Sequence, residues 1–244
     1  SKVAVAKKLN ILCLHGYFQD AAIMKERTPA LRRKLKSIAD FFFIFKYHHS
    51  VDYLDGPITV NQWMDLILLS ERSSNLDSML QRRKVGKAWW THDKETGAYP
   101  QFESTVDYVL KCYQEHGPFD GIFGFSQGAG LGLFLAALQD KGDIATDFKF
   151  VISYSGFYPS DVSIQVGECF LYEVELLDNR SISIASMHFI GKEDDRVEPQ
   201  SSEYASSIVC SQKKGGKVLL DPIVVYHEGG HFIPLNGEIK EKIY

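Results

Sequence analysis

Ser126, Asp194 and His231 are the residues whose types and order could do chemistry. A serine hydroxyl is a weak nucleophile until a base takes its proton. Histidine can be that base, because its ordinary pKa of about 6.5 leaves much of it neutral near pH 7. A carboxylate then fixes the imidazole tautomer and stabilises the imidazolium that forms. Such a set can attack a carbonyl carbon and hold the acyl group on the serine. Each member sits in a glycine-containing stretch: Gly124-Phe125-Ser126-Gln127-Gly128, Gly191-Lys192-Glu193-Asp194-Asp195-Arg196-Val197 and Gly229-Gly230-His231.

The pentapeptide around Ser126 has the form G-x-S-x-G. It follows the apolar run Phe119-Asp120-Gly121-Ile122-Phe123 and precedes the helix-forming stretch Ala129–Leu138. Strand, tight glycine turn and helix is the context in which such a serine is presented at the top of a sheet. The order serine, acid, histidine is that of α/β-hydrolases and differs from the orders in chymotrypsin and subtilisin. Asp195 competes with Asp194 for the acid's place and Glu193 less strongly, the G-x-x-D register favouring Asp194. An oxyanion hole would use the backbone N–H of Gln127 and one from the loop after the first strand, Tyr17 in His15-Gly16-Tyr17. His15 reads as a structural, hydrogen-bonding loop residue. The remaining histidines lack metal-ligand spacing with Cys, Asp or Glu, so no metal site is expected.

These residues need elements to carry them. Lys8–Leu14 reads as a buried strand, 21–38 as a helix and Asp40–Tyr47 as the next strand. Gln101–Gln114 has Phe102, Val106, Val109 and Leu110 at helical spacing and is stopped by Gly117-Pro118. Strands follow at Phe148–Tyr154, Ala185–Ile190 and Val218–Tyr226, with a helix over Gln200–Cys210 before the last; Val166–Asp178 fits no element. Strand-then-helix units in succession favour a parallel sheet. Between His48 and Pro100 the alternation lapses into polar and aromatic patches, and we read residues 48–100 as a lid inserted in a single domain spanning 1–244. Its tryptophans Trp63, Trp89 and Trp90 are the expected pocket lining, suited to an apolar acyl group.

The totals are those of a globular enzyme. Of 244 residues, 45% are hydrophobic and 24% charged, and the formal charge of −4 gives no reason to expect nucleic acid or an anionic membrane as partner. The four cysteines form no C-x-x-C pair, and no run approaches a membrane span. These features point to an intracellular, reducing compartment; no residue pattern speaks to oligomeric state.

Further stretches join the three above: Ile11-Leu12-Cys13-Leu14-His15-Gly16-Tyr17-Phe18-Gln19, Tyr53-Leu54-Asp55-Gly56-Pro57, Ala88-Trp89-Trp90, Gly117–Ala129 around the serine, and Ser153-Tyr154-Ser155-Gly156. On these the chain resembles the family of serine hydrolases abbreviated FSH, within the α/β-hydrolase superfamily, from residue 9 to about 234. Residues 160–183 match no part of the pattern. The resemblance implies an α/β-hydrolase fold, with a mostly parallel central sheet, helices on both faces and a lid insertion. It further implies a carboxylic-ester hydrolase with a Ser126, Asp194, His231 triad and no cofactor. A thioesterase or acyl transferase with the same triad is the alternative, and a non-catalytic ligand-binding protein on the same fold the third reading.

Overall fold

The structure is a computed structural model, and it describes residues 7–43, 55–61, 85–93, 96, 99–159, 164–165, 171–172, 182–209 and 221–234. Its centre is a six-stranded sheet built from β1 (Leu9–Leu14), β2 (Ala39–Phe42), β5 (Gly121–Phe125), β6 (Phe150–Tyr154), β9 (Ala185–Gly191) and β10 (Ile223–His227). The spatial order is β10-β9-β6-β5-β1-β2, and every neighbouring pair is parallel. Strands covered by helices read as continuous apolar runs, and all five residues of β5 are buried.

Helices fill the connections. The helix expected over 21–38 is instead two, α1 (Ala21–Arg27) and α2 (Pro29–Leu35). Pro29 has no N–H to give and disfavours the helical conformation at the residue before it. Thr28 accordingly has φ −117°, and its hydroxyl turns back to the Met24 carbonyl at 2.9 Å. Asp20 caps the first piece by accepting from the Ile23 N–H at 2.9 Å.

Helix α3 (Phe102–His116) buries Phe102, Val106 and Val109 on one face, while α4 (Gln127–Lys141) is buried nearly all round. Phe102 meets Phe134 edge-on with centroids 4.8 Å apart, which joins the two helices. A helix apolar on every side belongs in the core. Gly142, at φ 88°, ends α4 in the left-handed conformation that glycine adopts without strain. Helix α5 (Pro199–Ser207) lies against β9.

Two antiparallel pairs stand beside the main sheet: β3 (Ile58–Asn61) with β4 (Val85–Ala88), and β7 (Ile164–Gln165) with β8 (Leu171–Tyr172). Most of residues 48–100, expected as a lid, including Trp63, lies outside the described residues. Among the described residues no helix is long and apolar enough to cross a membrane.

Candidate active site

A parallel sheet sends the carboxyl ends of all its strands to one edge, where ligands of open α/β sheets bind. The residues of interest all follow such ends. His15-Gly16-Tyr17 follows β1, Ser126 follows β5, Asp194 follows β9 and His231 follows β10. Register sharpens this: Leu14 pairs with Gly124, and Gly191 pairs with His227. The serine turn therefore stands beside the His15 loop, and the acid beside the histidine.

Ser126 has φ 53° and ψ −119°, a left-handed conformation that costs a non-glycine residue energy and is held by its surroundings. Its N–H donates to the Tyr154 carbonyl at 2.8 Å, and its own carbonyl accepts from Ala129 and Gly130 at 2.9 and 3.0 Å. The two flanking glycines permit the close approach. A Cβ on Gly124 would sit 2.4 Å from the Ala129 Cα, and one on Gly128 would sit 2.2 Å from the Leu14 oxygen. The turn can thus form only with bare backbone at both positions.

Asp194 and His231 form the site's hydrogen-bonded pair. The His231 Nδ1–H donates to the Asp194 carboxylate, at 2.8 Å to Oδ2 and 3.0 Å to Oδ1. Asp194 Oδ1 also accepts from the backbone N–H groups of Arg196 at 3.0 Å and Val197 at 2.9 Å. Burial pushes the Asp194 carboxyl up, but the His231 hydrogen bond and charge, with the Val197 and Arg196 amides, hold it below the ordinary carboxylate value. The neighbouring Asp195 side chain is 48% exposed and faces Arg196, and Glu193 is exposed. With Nδ1 committed to Asp194, the proton-free nitrogen of a neutral His231 is Nε2. The ring packs on Phe125, the residue before Ser126, with centroids 4.9 Å apart. Among the described residues the Ser126 hydroxyl makes no hydrogen bond to that ring.

The two amides expected to bind an oxyanion stand on adjoining turns. Gln127 is the first residue of α4, so its N–H has no intrahelical acceptor. Tyr17 lies in a turn in which the Gln19 N–H donates to the Gly16 oxygen at 3.2 Å and the Gly16 N–H donates to the Gln19 side chain at 3.3 Å. His15 is wholly buried; its Nε2 accepts from the Gly56 N–H and its Nδ1 meets the Gly16 oxygen, both at 2.8 Å. An amide donor at Nε2 requires the neutral Nδ1–H tautomer, and burial lowers the His15 pKa in the same sense.

Trp89 and Trp90, expected as pocket lining, are instead buried in the main core, 0% and 3% exposed. The Trp89 indole N–H donates to the His15 oxygen at 2.8 Å, and Trp90 packs on Phe102 at 4.7 Å. What the motif reading did not mark is the Gln127 side chain: its Oε1 accepts from the Trp89 N–H and its Nε2 donates to the Trp90 oxygen, both at 2.8 Å. The only sequence signal was a glutamine next to the serine. Among the described residues no cluster of three or more His, Cys, Asp or Glu side chains could hold a metal ion.

An esterase of Caenorhabditis elegans, C25G4.2, is 29% identical over 246 residues, covering 97% of this chain and 91% of its own. The esterase OVCA2 of Danio rerio is 30% identical over 239 residues, 94% of this chain and 92% of that one. The crystal structure of esterase PE8 superposes with a TM-score of 0.55 at 17% identity, over 94% of this chain and 87% of the other, a likeness of fold. The family model described as serine hydrolase (FSH1) matches residues 4–243, and the chain belongs to that family.

Proposed function

We propose that this serine hydrolase cleaves carboxylic esters through Ser126 as nucleophile, His231 as general base and Asp194 as the group that orients the imidazole. The observation that carries the reading is the 2.8 Å bond from His231 Nδ1 to Asp194, since it leaves Nε2 to accept the serine proton. In acylation, Nε2 takes the Ser126 Oγ proton as Oγ attacks the ester carbonyl. The N–H groups of Tyr17 and Gln127 stabilise the oxyanion. The intermediate collapses as Nε2 protonates the leaving alkoxide, and water repeats the sequence on the acyl-enzyme to release the acid. Catalytic hydrogen bonds of the serine–histidine kind tighten when substrate binds, so the Ser126–His231 bond need not be formed beforehand.

The acyl group is apolar in this reading. Half-buried Tyr17 and Ile58 pack on Phe18, Val60 and Ala88 beside the oxyanion loop, a small apolar cluster separate from the main core. Trp89 and Trp90 belong to the main core and not to this cluster, and residues 48–100 are an insertion within one domain. Cys13 and Cys112 are buried and joined in no disulfide, in keeping with a reducing intracellular compartment.

The test is covalent labelling by a fluorophosphonate probe, read by intact mass. One adduct on the wild type and none on Ser126→Ala supports an activated Ser126. No adduct on folded wild type overturns the triad and brings the ligand-binding reading forward. Rates on matched oxygen and thiol esters then separate esterase from thioesterase, since both use the same groups.

A further inference from the structure

The two turns that carry the oxyanion donors are fastened to one short segment, Gly86–Trp90. On the first arm, the Lys87 N–H donates to the Gln19 oxygen at 2.8 Å, and Gln19 closes the turn that holds Tyr17. On the second, the Gln127 carboxamide clasps two successive residues, accepting from the Trp89 N–H and donating to the Trp90 oxygen. Between them, the Trp89 indole donates to the His15 oxygen, and the Thr105 hydroxyl holds the Trp89 carbonyl. The connecting groups are shielded from water: Gln19 is 3% exposed, Gln127 6% and Trp89 0%.

We infer that Gly86–Trp90 is the spacer that sets the separation of the Tyr17 and Gln127 amides, and that the Gln127 carboxamide is its positioning residue. The inference rests on the oxyanion assignment above and adds what holds it in place. Oxyanion donors act because they are preorganised around the position the developing charge will take. The Gln127 amide belongs to the first residue of a helix, where no intrahelical bond fixes it. Its own side chain supplies the missing constraint, and it does so against the strand segment that anchors the opposite donor. The carboxamide is the group this requires, one acceptor for Trp89 and one donor for Trp90. Methionine offers neither, and an ionised glutamate opposes the Trp90 carbonyl.

Ester turnover and fluorophosphonate labelling of wild type and Ser126→Ala come first, because they decide the function by themselves. Gln127→Met and Gln127→Glu then leave the backbone amide in place and change only its support. With p-nitrophenyl butyrate, Gln127→Met should lose about 10- to 100-fold in kcat with KM nearly unchanged. Inhibition by a trifluoromethyl ketone, whose hemiketal oxygen occupies the oxyanion position, should weaken by a similar factor. A purely structural role would lower melting temperature and leave ketone affinity per folded molecule intact.

For Gln127→Glu, the ratio of variant to wild-type kcat should climb as pH falls from about 8 to about 5.5, since burial raises the carboxyl and its protonated form donates to Trp90. A folded Gln127→Met enzyme with kcat and ketone affinity within about twofold of wild type overturns the inference. So does a flat pH ratio in Gln127→Glu, which decides the matter if the methionine variant does not fold. Failure of both variants to fold makes the carboxamide structural and overturns it as well. A wild type that neither labels nor turns over esters instead removes the functional reading beneath it.

Discussion

His231 and Asp194 are joined by a hydrogen bond of 2.8 Å from the ring Nδ1 to a carboxylate oxygen whose side chain is 1% exposed. The same carboxylate is gripped by the Arg196 and Val197 amides, so its direction is set before any substrate arrives. Asp194→Asn keeps the shape but presents an amide that can stabilise the wrong tautomer. Ester kcat should fall by roughly 10⁴-fold, as for the equivalent change in a serine protease. Asp195→Asn, at an exposed carboxylate beside Arg196, should leave kcat within about threefold. Steady-state kinetics of the two purified variants check the ranking, and the reverse order would move the acid to Asp195.

Trp89→Phe removes the indole N–H that satisfies the His15 carbonyl and keeps most of the apolar volume. A buried carbonyl left unpaired costs about 1–3 kcal/mol. Urea unfolding should show a loss of that size, and a value near zero would mean that water reaches the carbonyl in the variant.

That Ser126, Asp194 and His231 lie at one edge of the sheet was legible because each follows a strand, and a parallel sheet brings all such positions to one edge whatever the details of packing. The preference for Asp194 over Asp195 rested on register alone. In the structure two local amides turn Asp194 inward and Arg196 draws Asp195 outward. The Gln127 carboxamide was not legible, since its partners Trp89 and Trp90 are 38 and 37 residues away in a stretch without periodicity. Aromatics in such a stretch carry no mark of which way they face, so Trp89 and Trp90 read as pocket lining when they are core. The break at Thr28 was written in Pro29, yet the apolar spacing of Ile23, Met24 and Leu31 runs across it and imitates one helix.

Cys13 and Cys112 are 1% and 5% exposed, and burial raises the Cys13 thiol well above its ordinary value. The thiolate is the reactive form, so both should resist alkylation by iodoacetamide in the folded protein and react once urea unfolds it. Peptide mapping by mass spectrometry reads the two sites separately. Modification of either in the folded protein at the rate of the unfolded chain would show that its strand or helix opens readily.

Acid should unfold the protein partly through its buried neutral histidines. His188 is 1% exposed and has Nε2 3.0 Å from the Ser186 hydroxyl; burial lowers its pKa to about 4. His15 is lowered too, first by burial, with the Gly16 carbonyl, Asp55 and Asp20 opposing and Lys87 assisting. In the unfolded chain a histidine titrates near 6.5, so below that pH the unfolded state binds protons that the folded state refuses. The stability these residues contribute is therefore complete above about pH 6.5 and is lost as pH falls, for His188 across the window down to about 4. Neutral His188 accounts for about 1.4 kcal/mol per pH unit in that window, so His188→Gln should lose about 2 kcal/mol less than wild type between pH 7 and pH 5. Urea midpoints and slopes at pH 7, 6 and 5 measure the difference. Parallel losses in the two proteins would mean that His188 takes its proton while folded, with the Ser186 hydroxyl turning to accept from it.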